Sequence, residues 1–181
     1  AVKLIQSGDT VVLAHCVAEP VAVVDAMVAN KNLYKDITVS HMFTLGKGEY
    51  SKPEHSDVFR YEGWFTSPST RNSIAQGHGD FIPVFFHEIP SLIRKDILHV
   101  DVMMVTVTPP DEHGYCNIGV SSDYTVQGIK SARTVIAEVN DQVPTVFGET
   151  FVHVSEIDAF VENSHPLFES APAKITEVEE A

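Results

Sequence analysis

The sequence predicts an open α/β domain with a mainly parallel sheet flanked by helices. Three observations carry this. Short β-branched apolar runs alternate along the chain with helix-period segments. The strongest of these runs, VDVMMVTVT (100–108), is apolar at consecutive positions, as suits a parallel strand covered on both faces. The 181 residues, 44% hydrophobic and 20% charged, suffice for one buried core without disulfide or metal staples.

Taken in order, TVVLAHC (10–16) reads as a strand. EPVAVVDAMVANK (19–31) reads as a helix, with Pro20 set for its first turn and Val21, Val24, Met27 and Val28 on one face. ITVSHMFTL (37–45) is the next strand and ends in GKGEY. STRNSIAQG (69–77) is a short helix opened by Ser69 and closed by Gly77. In DFIPVFF (80–86) Pro83 cannot donate to a ladder, so that strand belongs at an edge or a bend. EIPSLIRK (88–95) is helical, VDVMMVTVT follows, and DYTVQGIKSA (123–132) forms a helix despite Gly128. TVIAEVN (134–140) and TFVHV (150–154) complete the strands.

One domain is expected over 1–160. From 161 to 181 proline and polar residues replace the strand pattern, giving a linker and then the start of an amphipathic helix with Ile175 and Val178. That helix stops without a cap, so the natural chain is expected to continue.

The net charge of −13 repels nucleic acid and anionic lipid, so neither is an expected partner. The apolar stretches are shorter than a membrane span, and AVKLIQSGDT lacks a signal-peptide core. Cys16 and Cys116, far apart and in no zinc or CxxC pattern, fit a reducing compartment, and a cytoplasmic protein is expected.

In open α/β sheets ligands bind beyond the carboxyl ends of the strands. The loops after Cys16, Leu45, Phe86 and Thr108 are therefore the places for chemistry. GKG (46–48) reads as a flexible turn, although its amides and Lys47 could meet an anion. His78, Asp80, His87 and Glu88 match no standard metal spacing, and no metal is expected. DEHGY (111–115) offers acid and base groups in Asp111, Glu112 and His113, yet PPDEHG is equally a strong turn, and spacing does not decide. No sequence feature pairs Cys16 or Cys116 with a histidine, and Ser121 and Ser122 lack a nucleophile elbow.

SGDTVVLAHCVAEP, SPSTRNSIAQGHGDFIPVFFHEIP and TPPDEHGYCNIGVSSDYT, in that order, resemble the amino-terminal half of the acetyl-CoA hydrolase/transferase family, nearest its 4-hydroxybutyrate and butyrate:acetate CoA-transferases. The resemblance covers essentially the whole chain. It implies a CoA-transferase-like fold (NagB/RpiA/CoA-transferase type) and ping-pong exchange of CoA between an acyl-CoA and a short-chain carboxylate. It also implies a catalytic glutamate in a carboxyl-terminal domain, which would be this domain's partner. Coenzyme A is then a substrate, with no permanently bound cofactor, and a homo-oligomer is expected.

None of Glu19, Glu49, Glu88, Glu112 or Glu138 sits in the family's nucleophile motif, so no catalytic residue is assigned and the chain alone is expected to be inactive. Lys47, Arg71, His87, Glu88, His113 and Tyr115 are candidates for the wall of the acyl and carboxylate pocket, by their place at strand ends. The CoA phosphates would be met by the partner half, or by a local cluster of Lys47, Lys52 and Arg71. An acetyl-CoA hydrolase of the same family and a non-catalytic acyl-binding domain are the alternatives.

Overall fold

The computed structural model describes residues 1–169 together with 172 and 175. Its strands are β1 (Thr10–Leu13), β2 (Ile37–His41), β3 (Phe59–Gly63), β4 (Gly79–Phe81), β5 (Val102–Val107), β6 (Tyr115–Asn117), β7 (Thr134–Val139), β8 (Phe151–His153) and β9 (Ala159–Glu162). The helices are α1 (Val21–Ala29), α2 (Arg71–Ala75), α3 (Ile89–Arg94) and α4 (Tyr124–Ser131). Seven strands form one sheet in the order β4-β3-β2-β1-β5-β7-β9, and all its pairings are parallel. β6 and β8 form a separate antiparallel pair.

The strand pleat sorts neighbouring side chains to opposite faces. On β1, Val12 packs on one face with Met103, Val105, Ile89, Ile93, Tyr124 and Ile129, the side carrying α3 and α4. Val11 and Leu13 pack on the other with Met104, Ile37, Val39 and the α1 residues Val23, Val24, Met27 and Val28. All six residues of β5 are buried, because helices cover both faces of this central strand. Gly128 has a packing reason: a Cβ there would fall 2.6 Å from Met103 Sδ, so glycine lets α4 lie close on β5.

Most expected elements form near their expected bounds. β4 lies at the sheet edge and ends before Pro83. Three strands have no counterpart in the sequence reading. β3 hides its pattern in FRYEG, where Phe59, Tyr61 and Gly63 are buried, Arg60 is exposed and Glu62 is half-buried. β6 is only three residues long, and it takes TFVHV out of the main sheet as its antiparallel partner β8. β9 runs from Ala159 to Glu162 and pairs with β7, so regular structure crosses the boundary expected at 160. The helix expected near the end lies, apart from Ile175, outside the described residues.

Candidate functional site

From β1 the sheet grows outward through β2 and β3 to β4, and then the chain returns to place β5 on the other side of β1. That reversal is a topological switch point at the carboxyl ends of β1 and β5, the place where open α/β sheets bind ligands. The residues that leave β1 there are Ala14, His15 and Cys16. Ala14 N donates to Met104 O and Cys16 N donates to Phe43 O, which ties the turn to both neighbouring segments. Cys16 adopts φ +53°, a left-handed conformation that costs a non-glycine residue free energy and is held by its surroundings.

His15 is the hub of this edge. Its Nε2 lies 2.6 Å from Asp123 Oδ2, and its Nδ1 lies 3.5 Å from Cys16 Sγ. Phe86 packs edge-on to its ring at 5.5 Å and Tyr124 lies against it at 5.4 Å. Asp123 caps α4 by accepting from Thr125 N, and it also accepts from Ser121 Oγ at 3.0 Å. Burial pushes the Asp123 carboxyl up, but hydrogen bonding and charge attraction to His15, with the bonds from Thr125 and Ser121, outweigh it and hold the group below its usual range. A carboxylate on Nε2–H leaves Nδ1 as an acceptor for the thiol. Burial, with the Asp123 and Glu19 charges, pushes the Cys16 thiol above its usual range, so it stays protonated at neutral pH.

Behind this cluster, His41 ends β2. It is fully buried, with Nε2 2.5 Å from Tyr50 Oη and its ring 5.1 Å from that of Tyr61. Burial and the nearby His15 lower its pKa to about 3, so it is neutral. Glu19, also buried, accepts from Thr44 Oγ1 at 2.5 Å and Gly46 N at 3.2 Å. Burial raises its pKa against the pull of those bonds. Glu19 lines a cavity of about 470 Å³ with Val24, Leu45, Lys47, His165 and Phe168.

One strand further out, Glu138 of β7 is fully buried and accepts from Ala22 N, Val23 N, Asn163 Nδ2 and, at 3.1 Å, interacts with His165 Nε2. It thus joins the first turn of α1 to the segment that leaves β9. The amides of a first helical turn lack partners within the helix, and a carboxylate there also suits the helix dipole.

The six residues expected at the pocket wall occupy several separate places. Lys47 lines the cavity beside Glu19, exposed and paired with Asp25 at 2.8 Å. Arg71 is the exposed first residue of α2. His87 and Glu88 lie exposed in the 3-10 turn Phe86–Glu88, with Phe85 stacked on His87. His113 is exposed 3.6 Å from Glu112. Tyr115 packs edge-on to His153 and lines a different cavity of about 330 Å³ with Thr108, Asp111, Asn117 and Asp141. Lys52, like Lys47, is engaged by a carboxylate, Glu49 at 2.6 Å.

DEHGY forms a turn in which Asp111 Oδ1 accepts from the amides of His113 and Tyr115 and Gly114 takes φ +83°. Among the described residues the ligand atoms of His78, Asp80, His87 and Glu88 do not converge. Those of Glu49, Glu54 and His55 do, within 4.8 Å, but Lys52 already neutralises Glu49. No described helix is long and apolar enough to cross a membrane.

The sequence reading found no histidine for Cys16, but the structure sets His15 Nδ1 3.5 Å from its thiol; the residues that sequence reasoning missed are His15 and, around it, Asp123, Glu19 and His41. The available signal was LAHC, which places a histidine and a cysteine at the carboxyl end of a strand, and the Ser-Ser-Asp run that opens α4.

The family model for the acetyl-CoA hydrolase/transferase N-terminal domain matches residues 1–168. The chain belongs to this family. The 4-hydroxybutyrate coenzyme A transferase of Clostridium kluyveri is 46% identical over 181 residues, which is 100% of this chain and 42% of that protein. The butyryl-CoA:acetate CoA-transferase of Anaerostipes caccae is 32% identical over 169 residues, 92% of this chain and 38% of its own length.

Among solved structures, RipA from Yersinia pestis superposes with a TM-score of 0.89 at 32% identity, covering 97% of this chain and 43% of RipA. A 4-hydroxybutyrate CoA-transferase from Porphyromonas gingivalis superposes with a TM-score of 0.74 at 33% identity, covering 93% of this chain and 38% of that one. The chain thus spans about two fifths of the length of the relatives it matches.

Proposed function

We propose that this chain is the amino-terminal half of a CoA-transferase that moves CoA between an acyl-CoA, such as 4-hydroxybutyryl-, butyryl- or acetyl-CoA, and a carboxylate such as acetate. The observation that carries this is the 46% identity, along the whole chain, to the 4-hydroxybutyrate coenzyme A transferase of C. kluyveri. The carboxyl ends of β1 and β5 then form one wall of the acyl site. Residues 1–160 are the amino-terminal α/β domain and 161–181 lead toward a carboxyl-terminal domain that supplies the nucleophilic glutamate. Ping-pong transfer proceeds through an acyl-glutamyl anhydride and a glutamyl-CoA thioester. Lys47, Arg71, His87, Glu88, His113 and Tyr115 remain the candidates for contacts around the acyl and carboxylate groups.

With Lys47 and Lys52 engaged by acidic neighbours, positive charge for the CoA phosphates comes from the partner half. The working enzyme is a cytoplasmic homo-oligomer. Assaying the natural full-length protein with butyryl-CoA tests the reading: CoA should pass to acetate only when acetate is present. CoA release that ignores acetate would instead make it a hydrolase of the same family, and no turnover of any acyl-CoA would remove the reading.

A further inference from the structure

The arrangement His15–Cys16–Asp123 has the parts of an activated nucleophile. A thiol faces an imidazole nitrogen that is free to accept its proton, and the other nitrogen is held at 2.6 Å by a half-buried carboxylate. Ser121 and Thr125 fix that carboxylate, while Phe86 and Tyr124 flank the imidazole. Nucleophile, base and orienting group therefore stand in sequence at hydrogen-bonding separations. Cys16 is only half-buried, follows the carboxyl end of β1, which pairs with β5, and is held in a left-handed conformation of the kind that collects at functional sites.

We infer that Cys16 is a second acyl acceptor, taking the acyl group of an acyl-CoA as a reversible thioester on the protein. The inference rests on the acyl-CoA reading above, because the acyl donor is the proposed substrate. Cys16 Sγ attacks the thioester carbonyl carbon as its proton passes to His15 Nδ1. The bond from that carbon to the CoA sulfur breaks, and the departing thiolate takes the proton from His15 and leaves as CoA thiol. One C–S bond forms and one breaks, with no oxidant required. A thioester replaces a thioester, so added CoA runs the step backwards.

The surroundings suit a thiol activated only on demand. Burial and two nearby carboxylates keep Cys16 protonated at rest, which shields it from oxidation, and His15 removes the proton as the electrophile arrives. The acyl group on Cys16 would stand at the carboxyl end of β1, beside the proposed acyl site, and so hold the protein out of its transfer cycle until CoA returns.

The experiment uses the natural full-length protein incubated with acetyl-CoA without acceptor acid, then acid quench and peptide mass spectrometry. An acetyl group on the Cys16 peptide, removed by neutral hydroxylamine and by excess CoA, is the expected result. His15→Gln should slow its appearance by about a hundredfold, the usual contribution of a positioned general base. Asp123→Asn, which keeps a residue able to cap α4, should also slow it. Cys16→Gly suits the left-handed backbone and should carry no label at that position.

CoA transfer to acetate is measured on the same samples. Protein that transfers CoA yet carries no acyl group on Cys16 overturns this inference and leaves the transferase reading standing. Protein that neither transfers nor labels overturns both. Labelling that proceeds at the same rate in His15→Gln and Asp123→Asn overturns the activated-thiol mechanism.

Discussion

Replacing His41 by asparagine should flatten the acid limb of the stability profile. In the folded chain this imidazole is buried and neutral, with a pKa of about 3 against an ordinary 6.5. Between those values the unfolded state binds a proton that the folded state does not, so stability falls as pH falls. The contribution is complete above pH 6.5 and is lost progressively down to pH 3. Each pH unit inside the window costs about 1.4 kcal/mol, giving about 2.7 kcal/mol between pH 6.5 and 4.5 and on the order of 5 kcal/mol across the whole range.

Trp64, the chain's single tryptophan, is buried beside Tyr124 and makes urea unfolding readable by fluorescence. Asp57, Asp111 and Asp141, whose pKa values hydrogen bonding lowers, also lose stability in acid, but they are shared by both proteins and cancel in the comparison. The wild type should therefore lose about 3 kcal/mol more than His41→Asn on going from pH 7.5 to 4.5. Equal pH dependence in the two proteins, or a His41 ring that titrates near 6.5 by NMR, would refute the reasoning.

Two further outcomes follow from buried carboxylates. Glu138→Ala strands Ala22 N, Val23 N, Asn163 Nδ2 and His165 Nε2 at once and should cost about 3–5 kcal/mol in urea unfolding; a loss below about 1 kcal/mol would show that water replaces the carboxylate without penalty. Gly46→Ala would put a Cβ 2.7 Å from Glu19 Oε1 and should lower stability by about 1–3 kcal/mol, with an unchanged melting temperature counting against a rigid Glu19.

The fold was legible where burial imposes a period on the sequence. β5 is apolar because both its faces are covered, Pro83 marks the end of an edge strand, and Pro20 stands immediately before α1. β3 escaped because its inward face ends in Gly63 and its other face carries Arg60 and Glu62, leaving too few apolar residues to announce a strand. The loops that leave the strands were found, but the chemistry inside them was only partly visible. His15 and Asp123 are 108 positions apart, and only the return of the chain to β5 brings the start of α4 beside the end of β1. Conversely, DEHGY packs its ionisable groups locally, and in the structure much of that density serves a turn.

The position of β1 in the sheet also bears on how the chain emerges during synthesis. β1 to β4 can pair in order as they appear, but the other edge of β1, Val11, Val12 and Leu13, waits for Val102, Met103 and Met104, about ninety residues later. At ~5–20 residues per second that is a delay of roughly 5–18 s. From the time β2 has emerged and paired until β5 arrives, the nascent sheet shows an apolar, unpaired edge, the surface to which chaperones and misfolded neighbours both bind.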